Sequence, residues 1–125
     1  MNTIKMKPTD DTPSVILDAE NNIFQISGRS MPEDVNTFYE PVLAWIDEYM
    51  EYPNEKTAFI FHLSYFNTAS SKLLLDIMLR LEELNEHGQK VSIVWNYDPD
   101  DEDMQEAGEE FNEIVDIPFE MEPAY

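Results

Sequence analysis

The chain has 125 residues, of which 42% are hydrophobic, and this length and composition predict one globular domain over residues 1–125 with a single core. The lack of cysteine excludes disulfides, thiolate metal ligands and cysteine nucleophiles, and it fits a reducing cytoplasm. Twenty-seven acidic residues against seven basic ones give a formal net charge of −20, so we expect no binding to nucleic acid or to anionic membranes.

The first predicted elements are two short strands that form an antiparallel hairpin. Ser14–Asp18 and residues 22–27 are β-prone runs, and the three residues between them suit an Asn-rich turn. Ile4 and Met6 would add a short strand at the edge, before the hairpin.

A connector and a first helix follow the hairpin. In residues 28–34 (GRSMPED), Ser30 is a candidate N-cap and Pro32 a candidate early helical residue. An apolar stripe then continues to about Glu51, and its periodicity across Pro41 favours a kinked helix over a restarted one. The stripe consists of Val35, Phe38, Tyr39, Val42, Leu43, Ile46, Tyr49 and Met50.

The middle of the chain reads as strand, helix and strand. Residues 57–66 (TAFIFHLSYF) are almost continuously apolar or β-favouring, which predicts a central strand covered on both faces. Residues 69–87 form a second helix that Gly88 ends, and residues 91–97 form the next strand. The predicted buried face of this helix comprises Leu73, Leu74, Ile77, Met78, Leu81 and Leu84.

The last elements are a third helix and a final strand. The acidic stretch 98–102 (DPDDE) leads into the helix and suits its positive N-terminal end, and Pro118 places the final strand at a sheet edge. The order β-β-α-β-α-β-α-β predicts an α/β fold with a mixed, mostly parallel sheet and an antiparallel hairpin at one side. The apolar positions are Met104, Ala107, Gly108 and Phe111 in the helix, and Val115, Ile117, Phe119 and Met121 in the strand.

Residues that would support catalysis or hold a cofactor are missing from the sequence. His62 and His87 suggest no metal site, and we expect His62 to be a packed or hydrogen-bonded sheet residue. Three glycines provide no phosphate-binding loop. A hydrolase that uses the acidic loop before the third helix would need two paired carboxylates with raised pKa values. No apolar run approaches the ~20 residues of a membrane span, and the first residues lack the core of a signal peptide.

One segment between the central strand and the second helix has two interpretations. Asn67 or Thr68 would make a good N-cap, which explains the segment structurally. Alternatively, a hydroxyl at this edge of an α/β sheet is displayed to partners and can be phosphorylated. The helix N-terminus would stabilise that phosphate, and Lys72 could pair with it.

Three segments together carry a resemblance to a known family. They are Thr12 with Pro13 ahead of the hairpin, residues 26–34 (ISGRSMPED) and residues 65–72 (YFNTASSK). With this element order, the chain resembles the SiaC-type regulatory phosphoproteins of bacteria, which are similar in fold to anti-sigma-factor-antagonist (STAS) domains.

The resemblance implies a protein that is not an enzyme. Thr68 would be phosphorylated by a serine/threonine kinase and dephosphorylated by a PP2C-type phosphatase. The unphosphorylated form would activate a diguanylate cyclase, or bind another output protein, and so raise cyclic-di-GMP and favour biofilm growth. The predicted partner-binding residues are Asn67, Thr68, Ser70, Ser71 and Lys72.

A rival hypothesis from another class is a constitutive binding or scaffold domain, or an anti-sigma-factor-antagonist-like partner switch. In that case Thr68 is only a helix cap, and its replacement by Ala costs ~1 kcal/mol of stability.

Overall fold

Six strands form one mixed sheet in chain order, and three helices connect its parallel strands, in a computed structural model that describes residues 2–125. This architecture confirms the predicted fold class and the predicted short edge strand at Ile4–Met6. The elements are β1 (Ile4–Met6), β2 (Ser14–Asp18), β3 (Ile23–Ser30), α1 (Val35–Tyr49), β4 (Lys56–Phe66), α2 (Thr68–Glu86), β5 (Lys90–Tyr97), α3 (Glu102–Ile114) and β6 (Phe119–Pro123).

The sheet changes from antiparallel to parallel pairing at β3. Strands β1, β2 and β3 pair antiparallel, and β3 to β6 pair parallel. The hairpin turn between β2 and β3 contains Asn22 with a φ of 57°, a left-handed conformation that asparagine tolerates better than most residues. The predicted hairpin is therefore confirmed, although β3 continues to Ser30.

All three helices lie on one face of the sheet. Phe24 of β3 contacts Trp45 of α1, and Ser30 of β3 hydrogen-bonds to Ser70 of α2. Trp95 of β5 donates to the carbonyl oxygen of Met104 in α3. Each parallel strand is added on the same side of the previous one, so right-handed crossovers all place their helices on the same face.

The arrangement makes β4 central but covers only one of its faces. Phe59, Phe61 and Leu63 are buried, whereas on the other face Ala58 and His62 are exposed and Ile60 is half-buried. The prediction that both faces of this strand are covered is wrong, because its alternation of large and small side chains was hidden in a nearly continuous apolar run. His62 is likewise not a packed sheet residue.

The first helix begins later than the connector suggested. Asp34 is its N-cap, with Oδ1 accepting from the Thr37 amide at 3.1 Å, and Val35 is its first residue. The predictions of Ser30 as cap and of Pro32 as an early helical residue are therefore wrong: Ser30 still belongs to β3, where its side chain is buried. The helix continues through Pro41 instead of restarting there.

The second helix follows its prediction closely. Its buried apolar residues are the six that were predicted, and His87 with Gly88, at a φ of 92°, closes its C-terminus. Helix α2 lies between its neighbours: it packs on β5 and against α1, and Arg80 forms an ion pair with Asp47 of α1 at 2.7 Å.

The third helix packs tightly on β5. A Cβ at Gly108 would lie 2.6 Å from Nε1 of Trp95, so only glycine allows this approach. Val115 and Ile117 are buried but precede β6, which begins at Phe119, so the predicted final strand started too early. Among residues 2–125, no helix is long and apolar enough to cross a membrane.

Candidate functional site

The candidate site lies where β4 passes into α2, at the edge of the sheet where the parallel strands end. A register shift at Gly28/Arg29 makes Ser64 an extra residue in β4, so that Tyr65 pairs with Arg29. The Arg29 guanidinium lies 5.4 Å from the centre of the Tyr65 ring. The amide of Asn67 then donates to the carbonyl oxygen of Ser30 at 3.1 Å, which ties the start of α2 to the end of β3.

Asn67, and not Thr68, caps the helix. Oδ1 of Asn67 accepts from the Ser70 amide at 2.8 Å, and its own backbone is extended. Thr68 is therefore the first helical residue, and its side chain is exposed. Its hydroxyl has no hydrogen-bond partner within residues 2–125, which leaves it available to solvent.

Ser70 lies beneath this turn in a buried hydrogen-bond chain. Its Oγ donates to the carbonyl oxygen of Ser30 at 2.8 Å and accepts from Oγ of Ser30 at 2.9 Å. The hydroxyl of Tyr39 completes the chain, 2.6 Å from Oγ of Ser30, and burial raises the pKa of Tyr39 to about 12. Ser70 is fully buried, so this predicted partner-binding residue lies beneath the surface and holds the helix start in place.

Sequence reasoning missed Ser30 and Tyr39 as supports of the site. The two hydrogen bonds that define their role join residues 9 and 40 positions apart. No local pattern marks such a contact, since it depends on β3, α1 and α2 meeting at one point.

The surroundings of Thr68 suit an added anion. The first turn of α2 contains no acidic residue, and the amides of Thr68 and Ala69 precede the first intrahelical hydrogen bond. Lys72, one turn further along, is exposed, and Ser71 is half-buried. The predicted residues Thr68 and Lys72 are thus brought together at the surface, with Asn67 and Ser71 beside them.

The acidic loop between β5 and α3 lies at the same edge of the sheet as the candidate site. Asp101 caps α3 by accepting from the Met104 amide at 3.0 Å, and Glu102 and Asp103 occupy the first turn. Capping the helix and interacting favourably with its dipole are the ordinary roles of carboxylates at a helix N-terminus. Within residues 2–125, no three His, Asp or Glu side chains are grouped so that they could hold a metal ion.

Comparisons with known proteins agree on one family. The profile described as SiaC family regulatory phosphoprotein matches residues 6–124. An uncharacterised protein of Pseudomonas aeruginosa strain UCBPP-PA14 is 30% identical over 122 residues, which cover 98% of this chain and 97% of that protein.

Two crystal structures from Pseudomonas aeruginosa are similar over nearly the whole chain. Apo-SiaC is 29% identical with a TM-score of 0.90, covering 98% of this chain and 99% of that one. The structure of diguanylate cyclase SiaD in complex with its activator SiaC contains a chain that is 29% identical, with a TM-score of 0.91 and coverage of 97% and 99%.

Proposed function

The chain belongs to the SiaC family of regulatory phosphoproteins, and on that premise we propose that phosphorylation of Thr68 switches its binding to an output protein. Membership of this family confirms that the chain is a regulatory protein and not an enzyme. The observation that carries the proposal is the exposed Thr68 hydroxyl, which is free of the capping role because Asn67 performs it.

The start of α2 would stabilise the negative charge of a phosphate on Thr68. The phosphate carries ~1.5 to 2 negative charges at neutral pH, and the free first-turn amides and the helix dipole favour an anion at this position. Lys72 can pair with it from four residues further along the helix. The phosphate therefore changes the surface charge without requiring the domain to refold.

The output partner that we propose is a diguanylate cyclase. A SiaC chain similar to this one is the activator in a complex with the diguanylate cyclase SiaD. The unphosphorylated helix start, with Asn67, Thr68, Ser71 and Lys72, would contact the cyclase, and Ser70 would hold this surface in shape from below. Activation would raise cyclic-di-GMP and favour biofilm growth.

Phosphorylation would then release the cyclase. A dianion placed in a protein interface is costly unless the partner pairs it, so the modified form binds more weakly. Regulatory couplings of about 1 to 3 kcal/mol correspond to a change in affinity of about 5- to 150-fold. A dedicated serine/threonine kinase and a PP2C-type phosphatase would add and remove the group.

The experiment compares wild type, Thr68→Ala and Ser71→Ala after incubation with the cognate kinase. Intact-mass measurement should show one phosphate on wild type and on Ser71→Ala, and none on Thr68→Ala. Titration of the cyclase should show that phosphorylated wild type binds about 5- to 150-fold more weakly than the untreated protein.

Thr68→Ala should bind the cyclase with the same affinity before and after kinase treatment, because it has no hydroxyl at this position to phosphorylate. Stoichiometric phosphorylation of Thr68→Ala would show that another residue is modified, and it would refute the assignment. Equal affinity of the two wild-type forms would instead support a constitutive binding domain.

A further inference from the structure

One face of the sheet is bare of helices in residues 2–125, and we call it the open face. It consists of the strand residues that alternate with the buried Phe24, Phe61 and Trp95. Ile23 on this face is 41% exposed and Ala58 is also exposed, while Ile60 and Val94 are half-buried. An apolar centre of this kind on a broad sheet is typical of a surface that packs against another protein.

A row of side chains crosses the open face from one edge of the sheet to the other. The strand register places its six members side by side on β1 to β6. They are, in order, Lys5, Ile16, Gln25, Ile60, Val94 and Glu120. The row therefore begins with a positive charge, continues through three apolar residues and Gln25, and ends with a negative charge.

The open face also differs in charge from the rest of the molecule. Its strand positions hold four of the chain's seven basic residues, against three of its twenty-seven acidic ones. The acidic ones are Asp18, Glu120 and Glu122. The basic ones are Lys5, Arg29, Lys56 and Lys90. In a chain with a net charge of −20, two copies therefore repel each other less at these strand positions than elsewhere, while Asp98 and Asp101 of the acidic loop lie at one end of the face, beside Ser27 and His62.

We propose that the open face binds a second copy of this chain, as a two-fold dimer whose axis runs parallel to the strands between β3 and β4. Rotation about that axis places Lys5 against Glu120 of the other copy and Ile16 against Val94. Gln25 meets Ile60 at the centre. Each contact occurs twice, as an isologous interface requires.

The charges select this axis over its alternative. A two-fold axis across the strands would stack β1 on β1 and β6 on β6, so that Lys5 would face Lys5 and Glu120 would face Glu120. Like charges in apposition disfavour that arrangement. Both axes leave the strands of the two sheets nearly aligned, as in aligned sheet packing, so the charges alone decide between them.

The area predicts a weak dimer. Six strands at ~4.8 Å spacing and ~20 Å of strand length give roughly 500 to 600 Å² per copy. The total of roughly 1,000 to 1,200 Å² lies at the lower limit of specific interfaces. We therefore expect a dissociation constant in the range of about 1 to 100 µM.

The test measures self-association of the full chain by sedimentation velocity from about 1 to 500 µM. Ile60→Glu places two charges at the centre of the dimer and should raise the dissociation constant at least ~100-fold. Leu79→Glu is the matched control: it adds the same charge at a 42% exposed leucine of α2, on the helix-covered side, and should leave the constant unchanged.

Charge reversal tests the direction of the axis with variants at the ends of the row. Lys5→Glu and Glu120→Lys should each weaken the dimer about tenfold, and the double variant should restore it. A double variant no tighter than the single variants would overturn the arrangement.

Two other results would overturn the dimer itself. One is a wild-type chain that stays monomeric at about 500 µM; if Ile60→Glu then abolished cyclase binding, the open face would belong to the cyclase. The other is an Ile60→Glu variant that dimerises like wild type while melting at the same temperature. Both results are independent of whether Thr68 is phosphorylated.

Discussion

Four neighbouring residues at the start of α2 have different tasks. Asn67 accepts a hydrogen bond from a helix amide, and Ser70 donates one to the backbone of β3. Lys72 contributes a positive charge, and Thr68 has no structural role. Such a division matters for a switch, because a residue that must accept and lose a phosphate should not also support the fold. The rival hypothesis of a constitutive binding domain made Thr68 the helix cap; that assignment is wrong, and the rival now depends on the binding experiment alone.

Stability measurements on two alanine variants test this division. Asn67→Ala should lower the free energy of unfolding by about 1 kcal/mol, since the Ser70 amide loses its acceptor. Thr68→Ala should change it by no more than about 0.5 kcal/mol, because only an exposed side chain is altered. Denaturant titration at neutral pH measures both. A larger loss for Thr68→Ala than for Asn67→Ala would return the capping role to Thr68.

At the scale of elements, helix periodicity was predictable and helix starts were not. All six predicted buried residues of α2 are buried, because a 3.6-residue repeat is a property of the local chain. The start of α1 was misplaced, since Ser30 and Asp34 are both good caps and only the length of β3 decides between them. The open face of β4 was missed for a related reason: the strand's composition does not reveal on which side the crossover helices lie.

Titration of Asp34 tests the cap that the structure assigns to α1. The Thr37 amide donates to this carboxylate and lowers its pKa below the ordinary value of 3.8. A lowered pKa in the folded state means that the stabilisation is present above pH 3.8 and is lost as the pH falls below it. Wild type should therefore lose stability relative to Asp34→Asn as the pH falls from 5 towards 2.

The control for this titration is Glu33→Gln, at the exposed residue just before the cap. Its stability should follow that of wild type over the same pH range. Urea unfolding at a series of pH values measures all three proteins. Parallel curves for wild type and Asp34→Asn would show that the carboxylate contributes nothing as a cap.

At the scale of the whole molecule, charge is distributed very unevenly. The net charge of −20 arises mainly outside the open face, from the helices, the loops and the acidic loop that lies beside the end of β4. Self-repulsion of this size opposes the compact state. A phosphate at Thr68 would add to this repulsion for any acidic partner and would be favourable for a basic one.

Salt should therefore stabilise the fold. Raising NaCl from about 10 to 500 mM shortens the Debye length from ~30 Å to less than 8 Å and screens the repulsion, so the melting temperature should rise. Thermal unfolding at ~1 µM, below the proposed dimer range, provides the measurement. The same series near pH 4, where many carboxylates are protonated, should show a smaller rise. A melting temperature that falls with salt at neutral pH would mean that attractive ion pairs outweigh the repulsion.

The sequence by itself determined the order of the elements, the buried face of α2, the acidity and the segment that holds Thr68. These features depend on composition and on side-chain spacing within one or two turns of chain. Only the tertiary structure decided that Asn67 is the cap, that Ser70 is buried and that one face of the sheet is bare. Those outcomes depend on contacts between residues up to 40 positions apart and on the side of the sheet to which each crossover returns, and spacing along the chain does not encode either.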